Sequence, residues 1–506
     1  MQSKLALFIA LFLSFFITLG WLPLFDLDEG AFSEATREML ESGNYLTTYL
    51  NGELRFDKPI FIYWFQALSV KLFGLNEFAV RLPSAIAATL WVFATYLFTA
   101  RYADSKKAFI AAFIMIASLQ ITIIAKAAIA DALLNLFIAL AMFSLYRLYE
   151  TRENKFIYFT YLFVGLGALT KGPVAIMVPL VVSFLFFVFK GEWKFWLKSV
   201  FNLKGIGIFL LVAAPWYILE YMDQGEKFIN GFFFKHNISR FNGAMEGHYG
   251  SLVYYIPVFL IGLLPFTTLY IKMLTEVKKF FKNDLHLFLI IWFLFVFIFF
   301  SFSGTKLPHY VIYGYTPLFI LVGILWQDKV NSFWLISPSI LLYLLLLALP
   351  IFLNFGGLEV IGDAYAVEIL KDSMVLFDWV YYATLIGVVI LSLIMIRVEW
   401  SAYTKIVAVG VLFIMIINGV VLALVAHAKQ TPIKEAAMIA KERDLNVTMS
   451  RINVPSFIFY SEKKVRRGEI RVGDIVLTKS NKLDSLKRYD IIYKNRGVAL
   501  VKVEEL

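Results

Sequence analysis

The sequence contains no cysteine, and only 17% of its 506 residues are charged. The lack of cysteine excludes a disulfide framework, thiolate catalysis and a thiolate metal site. In a soluble domain about a quarter of the residues are charged, whereas 60% of this chain is hydrophobic. Internal repeats and low-complexity linkers are also missing. These features exclude an ordinary soluble domain and a disulfide-stapled one.

The hydrophobic excess is concentrated in long blocks, most of which approach the roughly 20 residues that a helix needs to cross a bilayer. The first block is followed by no small-x-small cleavage site, so we interpret it as a retained helix and not as a secretory signal. The sequence therefore predicts a mainly α, polytopic membrane protein. Its 13 or so transmembrane helices lie near 4–23, 79–99, 107–124, 128–147, 156–170, 173–189, 203–222, 251–273, 285–303, 309–326, 333–353, 377–396 and 404–427.

Alternate short loops are basic, and the positive-inside bias predicts that these loops face the cytoplasm. With 13 spans, all of them fall on the same side of the inner membrane. The opposite, periplasmic side then receives the loop at 24–78 and the C-terminal segment. The basic residues are Arg101, Lys106, Lys107, Arg147, Arg152, Lys155, Lys190, Lys194, Lys198, Lys272, Lys278, Lys279, Lys282, Lys329, Arg397 and Lys405.

The two outer segments have their own predicted structure. In the loop at 24–78, apolar residues at helical spacing up to Gly43 predict one helix, and Pro59 opens a second, aromatic helix too short to span. Both are expected to lie at the membrane interface. The chain divides into a membrane domain at 1–428 and a small α/β domain at 429–506. In that domain we expect a helix at 432–443 and strands at 456–460, 474–478, 490–493 and 498–503.

Charged and polar residues collect at the predicted outer ends of the spans. Charge close to hydrocarbon is costly and usually has a partner or a function. Lysines and arginines beside carboxylates fit a phosphate recognised with a divalent cation, and a remaining carboxylate can act as general base. The alternatives are lysines and arginines that extend to lipid headgroups and acids that complement a helix dipole. The residues are Asp28, Glu29, Asp57, Lys58, Asp131, Lys171, His236, Arg240, His248, Lys306 and His309.

Several motifs in this set resemble those of bacterial GT-C glycosyltransferases. The motifs occur in family order across most of the chain, and the similarity points to the aminoarabinose transferase of lipid A and its dolichyl-phosphate-mannose-protein mannosyltransferase-like relatives. The matching motifs are Leu27-Asp28-Glu29-Gly30, Ala35-Thr36-Arg37-Glu38-Met39, Ser42-Gly43-Asn44-Tyr45, Phe56-Asp57-Lys58-Pro59, Ala130-Asp131, Leu169-Thr170-Lys171-Gly172-Pro173, Arg240-Phe241 and Lys306-Leu307-Pro308-His309-Tyr310.

The resemblance implies a role for each site residue. Asp28 would be the catalytic carboxylate, assisted by Glu29. The phosphate of the polyprenyl carrier, the lipid to which the donor sugar is attached, would be bound by Lys58, Arg240, Lys171 and Lys306. A divalent cation would be held by Asp57, Asp131 and His248. The aminoarabinose enzymes tend to carry Arg in place of Ala31 and Glu in place of Asp57, so identity of sugar and acceptor does not follow.

The function implied is inverting transfer of a sugar from undecaprenyl phosphate to lipid A, another glycolipid or a protein, by a monomer that binds no nucleic acid. The main alternative is a multi-pass lipid or sugar transporter, which should carry polar residues near mid-span and broken helices. An oligosaccharide ligase or polymerase is a third possibility. The charges at span ends on one side favour the transferase.

Overall fold

Helices form most of the chain in a computed structural model that describes residues 2–239, 250–328 and 330–505. Each of the 13 predicted spans coincides with helical structure. Among the described residues, seven helices are long and apolar enough to cross a membrane. They are Glu77–Tyr102, Asp131–Thr151, Leu203–Gln224, Asp284–Ser301, Ser332–Gly357, Trp379–Arg397 and Ala402–Lys429. A polytopic membrane protein is confirmed.

The span predicted at 251–273 is not one straight helix. It consists of Tyr255–Gly262 and Thr267–Thr275, which are bent by 117° relative to each other. The bend contains Pro265, which lacks a backbone N–H and restricts the residue before it. The carbonyl of Leu264 accepts a hydrogen bond from Leu119 N at 2.9 Å. Leu119 begins a second short helix within the predicted 107–124 span, so the two interrupted spans meet at their breaks.

The other helices are shorter or lie between the spans. They are Gln2–Leu11 with the π-helical Phe12–Phe16, Asp28–Ser42, Phe61–Phe73, Ser105–Ala117, Leu119–Ile124, Asn154–Lys171, Val174–Phe189, Trp193–Val200, Glu226–Phe228 with Ile229–Ser239, Val277–Lys282, Pro308–Gly314 with Tyr315–Ile324, Ala364–Asp372 with Ser373–Leu376, Thr431–Glu442, Pro455–Ser461 and Ser480–Ser485.

The loop after the first helix contains both predicted helices. The first, Asp28–Ser42, is here named the loop helix, and Gly43 ends it in the left-handed conformation with φ 69°. The second is Phe61–Phe73. Tyr49–Leu50 and Glu53–Leu54 pair as a short antiparallel hairpin between them.

The C-terminal domain combines helices with a five-stranded mixed sheet. In spatial order its strands are Arg466–Arg467, Val447–Met449, Ile475–Lys479, Val498–Glu505 and Arg488–Asn495. The expected helix and the last three expected strands are confirmed, whereas the strand expected at 456–460 is wrong. That segment belongs to the helix Pro455–Ser461, here named the docking helix.

The docking helix misled the sequence analysis because all its residues are buried, so it shows neither helical nor strand periodicity. Pro455 supplies the fixed φ that suits a helix start. Phe457 and Ile458 pack in one hydrophobic cluster with Leu24, Val80 and Ala128 of the membrane domain. The C-terminal domain therefore lies against the end of the bundle where the loop helix begins.

Candidate functional site

A cavity of about 280 Å³ opens at the end of the bundle that carries the C-terminal domain. Its apolar lining is Leu27, Phe32, Ile129 and Leu307. Its polar and aromatic lining consists of Asp26, Asp28, Arg55, Asp57, Lys58, Asp131, Lys171, His309 and Tyr310. Nine residues are assigned a catalytic, phosphate-binding or metal-binding role from the sequence. Five of them line this one cavity: Asp28, Asp57, Lys58, Asp131 and Lys171.

Helix ends position three of these five residues. Asp28 is the first residue of the loop helix, and Asp131 is the first residue of Asp131–Thr151. Lys171 is the last residue of Asn154–Lys171, before Gly172 turns the chain with φ 76°. Acids at N-termini and a lysine at a C-terminus each complement the helix dipole. Asp57 and Lys58 lie in the short segment that leads into the aromatic helix, which begins at Phe61.

Asp131 and Lys171 form a buried ion pair on the wall of the cavity. Lys171 Nζ lies 2.7 Å from Asp131 Oδ1, and the two side chains are 9% and 4% exposed. The Tyr313 hydroxyl donates a second hydrogen bond to the same carboxylate oxygen at 2.8 Å. Lys171 also lies over the rings of Tyr310 and Tyr313, 5.8 and 5.6 Å from their centroids. The ammonium is therefore fixed next to the cavity.

Asp57 is held from two sides by basic groups. Arg55 lies 3.0 Å from one of its oxygens, and His236 Nδ1 lies 2.8 Å from the other. Burial alone would raise the pKa of this carboxyl, but the contact with His236 and the charges of Arg55 and Lys58 hold the pKa well below its usual range. Lys58 Nζ donates to the Asp57 carbonyl at 3.0 Å. Asp57 is therefore an anion among three basic side chains.

Asp28 and Asp26 differ from the paired acids. None of the ion pairs formed by the described residues involves Asp28, which is exposed toward the cavity. Asp26 is half-buried and accepts hydrogen bonds from Ser456 of the docking helix. Burial raises the pKa of Asp26 to about 7, against the opposing effect of those bonds. Asp28 is thus the carboxylate available to a bound molecule.

Glu29 does not reach the cavity, contrary to the role expected for it. Both its oxygens are bound by Arg81, at 2.9 and 2.8 Å, and one also accepts from Ala128 N at 2.7 Å. Both side chains are about 95% buried. Because all its acceptor sites face protein, Glu29 fixes the start of the loop helix and is not placed to assist Asp28 directly.

Lys306 is also absent from the cavity lining. Its Nζ donates to the carbonyls of Ser301 at 2.9 Å and Ser303 at 2.6 Å. Arg240 and His248 lie outside the described residues, so their expected roles stay predictions. In the described ranges no three histidine, aspartate or glutamate side chains form a cluster that could hold a metal ion.

The structure adds site residues that the sequence analysis did not single out. Arg55 has a side chain that is 10% exposed and lies 5.5 Å above the ring of Phe32, and Tyr313 donates to Asp131. Arg55 could have been found from its place two residues before Asp57 in a short extended segment, which puts both side chains on one face. No pattern in the sequence distinguishes Tyr313 or Asp26 from their neighbours.

Comparison with known proteins finds relatives in one family. Residues 57–219 match the family described as dolichyl-phosphate-mannose-protein mannosyltransferase. A protein of Aquifex aeolicus without an assigned function is 30% identical over 67% of this chain and 77% of its own. The undecaprenyl phosphate-alpha-4-amino-4-deoxy-L-arabinose arabinosyl transferase of Shewanella sediminis is 27% identical over 66% of this chain, but the match spans only 61% of that enzyme.

The fold is that of a solved structure. ArnT from Cupriavidus metallidurans bound to undecaprenyl phosphate superposes with a TM-score of 0.81 over 99% of this chain and 97% of that one, at 19% sequence identity. The apo structure of the same protein gives a TM-score of 0.79. The chain belongs to the GT-C glycosyltransferases of the aminoarabinose transferase and dolichyl-phosphate-mannose-protein mannosyltransferase-like family.

Proposed function

We propose that this protein transfers a sugar from undecaprenyl phosphate to an acceptor at the periplasmic face of the inner membrane. One observation carries the proposal: Asp28, a carboxylate without an ion pair among the described residues, shares a cavity at one end of a membrane bundle with the basic side chains Arg55, Lys58 and Lys171. A lipid-borne phosphate needs cations at membrane depth, and an attacking group needs a nearby carboxylate.

The basic side chains would stabilise the phosphate as it leaves. Breaking the bond between the anomeric carbon and the phosphate oxygen gives the phosphate a second negative charge. Lys58 would stabilise that charge, together with Arg240 from outside the described residues. The fixed ammonium of Lys171 would contribute a further favourable electrostatic interaction with the phosphate. The attraction between these cations and the phosphate is stronger in a cavity lined by protein than in water, because the effective dielectric constant is lower.

Asp28 would act on the acceptor, which attacks the anomeric carbon from the face opposite the phosphate and inverts its configuration. If the acceptor is a hydroxyl, the carboxylate of Asp28 takes its proton. If the acceptor is a phosphate of lipid A, that group is already ionised and Asp28 orients it. Transfer by Asp28→Asn to a hydroxyl acceptor and to a phosphate acceptor distinguishes the cases, because only the hydroxyl requires the carboxylate for proton removal.

A divalent cation remains part of the proposal, with a changed donor set. Asp131 fits it poorly, because the ammonium of Lys171 already balances the charge of this buried carboxylate and would repel a second cation. Asp57 and His236 face each other with atoms 2.8 Å apart, but no third histidine or carboxylate among the described residues joins them, so the donor set would need His248 from outside that part of the chain. A bound cation would supply further positive charge for the phosphate. If donor binding uses such a cation, a chelator that removes the cation should weaken binding of the donor.

The described charges argue against a transporter. The paired and unpaired charges that line the cavity lie at helix ends on one side of the bundle. A transport path would need such groups near the midplane between two halves of the bundle. The periplasmic location can be tested with a tag after Leu506, which protease should remove from the outside of spheroplasts. Protection of the tag in intact spheroplasts would overturn the orientation.

The activity can be tested with the purified protein in detergent and undecaprenyl-phosphate-linked 4-amino-4-deoxy-L-arabinose as the first donor probe, against lipid A. Other undecaprenyl-phosphate sugars and protein acceptors complete the panel. Release of undecaprenyl phosphate with sugar appearing on an acceptor supports the proposal. Donor transport across vesicles without release of the carrier phosphate would contradict it.

A further inference from the structure

The docking helix of the C-terminal domain touches the segment that carries the proposed catalytic carboxylate. Asp26, two residues before Asp28, accepts a hydrogen bond from Ser456 N at 2.9 Å and another from the Ser456 hydroxyl. These bonds join positions 430 residues apart in the chain. Both Asp26 and Asp28 line the cavity, so one wall of the cavity depends on a contact made by the other domain.

Gly30 makes this close approach possible. A Cβ at Gly30 would lie 2.5 Å from Ser456 N and 2.3 Å from Asp26 Oδ1, nearer than real Cβ atoms come to other atoms. The first turn of the loop helix is therefore in direct contact with the docking helix. The absence of a side chain at position 30 leaves room for the hydrogen bonds between Ser456 and Asp26.

The surrounding contacts fix the docking helix against the membrane domain. The Tyr460 hydroxyl accepts from Leu24 N at 2.7 Å and lies 3.0 Å from Glu77 Oε1. Lys434 Nζ lies 2.5 Å from the same Glu77 oxygen. These contacts hold the domains together, whereas among the described residues the side chain of Asp26 is hydrogen-bonded only by Ser456.

We propose that Ser456 is a positioning residue of the transfer reaction: its hydrogen bonds to Asp26 fix the segment 26–28 and thereby the place of the Asp28 carboxylate in the cavity. The C-terminal domain is then a structural part of the active site. This inference rests on the proposed function, because it assigns Asp28 the role of catalytic carboxylate. Ser456 itself touches neither donor nor acceptor.

The test compares Ser456→Ala, Asp26→Ala and the double variant in the full-length protein. Loss of the hydroxyl should lower kcat about tenfold, since misplacing a catalytic group by about 1 Å can cost up to about 100-fold. The donor KM and the binding of undecaprenyl phosphate should change less than about twofold, because the loss concerns stabilisation of the transition state and leaves binding of the donor in the ground state intact. The double variant should be no slower than Asp26→Ala, because Ser456 acts through Asp26.

Ser461→Ala is the matched control. Ser461 is a buried serine of the same helix, and within the described part of the chain its hydroxyl hydrogen-bonds only to the Ile458 carbonyl, at 3.3 Å. It should retain wild-type kcat. Equal kcat for Ser456→Ala and Ser461→Ala, or additive losses in the double variant, would overturn the proposal. So would loss of undecaprenyl phosphate binding in step with kcat, which would indicate a merely structural defect.

Hydrogen–deuterium exchange separates this inference from the proposed function. Ser456→Ala should speed exchange in a peptide covering residues 24–31, while Ser461→Ala should not. If the wild-type protein transfers no polyprenyl-linked sugar, the proposed function fails, yet the exchange experiment still decides whether Ser456 holds that segment. Unchanged exchange in Ser456→Ala would overturn the positioning role even in an active enzyme.

Discussion

The two ends of the helical bundle carry similar ion pairs with very different surroundings. At the end predicted to face the cytoplasm, Lys106 lies 2.6 Å from Asp328, and the side chains are 48% and 68% exposed. At the cavity end, Lys171 lies 2.7 Å from Asp131, and the side chains are 9% and 4% exposed. The geometry of the two pairs is almost the same, and only burial separates them.

Burial decides what each pair can do. An exposed pair contributes about 0–1 kcal/mol because water screens both charges. A buried cation keeps a strong field over several ångströms, so a phosphate in the cavity would feel Lys171, whereas water would screen Lys106 from a phosphate beside it. The sequence has lysines at both ends of the bundle. Of the two paired lysines compared, the fold buries only Lys171 at the cavity end, and there it can interact strongly with a lipid-borne anion.

The largest expected effect is on catalysis at the cavity end. Two cavity carboxylates have no described ion pair, and of these Asp26 is hydrogen-bonded by Ser456, so Asp28 is the one placed to act on a bound molecule. Asp28→Asn should therefore lower transfer by about 10²- to 10⁴-fold if Asp28 acts as general base. The fold should be unchanged in detergent, as judged by thermal unfolding. Asp328→Asn is the same substitution at the other end and should keep wild-type turnover. Equal turnover in the two variants would remove Asp28 from the mechanism.

The second effect concerns stability. Lys171→Met leaves Asp131 as an uncompensated buried charge, which should lower the free energy of unfolding by about 3–5 kcal/mol. Denaturant unfolding in detergent measures it. Replacing both partners, with Asp131→Leu added, should restore most of the loss. A restored fold with no transfer would show that the pair serves the reaction as well as the structure.

The third effect is that of Asp57. Because contacts with His236, Arg55 and Lys58 depress its pKa, its stabilising effect exists above the ordinary aspartate pKa of about 4 and is lost as the pH falls through the lower folded pKa. Asp57→Asn should therefore cost about 1–3 kcal/mol at pH 7. The difference from wild type should shrink in acid, as followed by thermal unfolding from pH 7 to 3. A constant difference would mean that Asp57 is not held as an anion.

The smallest effect is expected at the opposite end. Lys106→Met breaks only an exposed pair, so the free energy of unfolding should change by less than about 1 kcal/mol. Measured beside Lys171→Met, it gives the comparison between the ends directly. A loss comparable to that of Lys171→Met would contradict the assignment of the difference to burial.

Much of this comparison could be predicted from the sequence. Hydropathy gave the helical spans, and the charges at their ends gave Asp28, Lys58, Asp131 and Lys171 as neighbours. Hydropathy could not reveal the 117° bend, because an interrupted span is as apolar as a straight one. Adjacent acids could not be ranked either: Asp28 faces the cavity and Glu29 faces Arg81, a difference set by helix rotation.

The contacts between domains were the least predictable part. Nothing local marks Ser456 as a partner of Asp26, since the two are brought together only by packing of the C-terminal domain. The docking helix is buried on all sides and so has no polar face to reveal its structure. Hydrophobic periodicity predicts the structure of an element when one of its faces contacts protein and the other contacts water or lipid. It gives no signal when every face is buried in protein.

The central claim is that the basic side chains lining the cavity bind the phosphate of a polyprenyl carrier. Binding of undecaprenyl phosphate to the full-length protein in detergent tests it most directly, with Lys58→Ala compared against Lys106→Ala. Loss of a charged hydrogen bond worth about 1.5–3 kcal/mol should weaken binding by about 10- to 100-fold in Lys58→Ala and leave Lys106→Ala unchanged. Equal affinity in wild type and both variants would contradict the account.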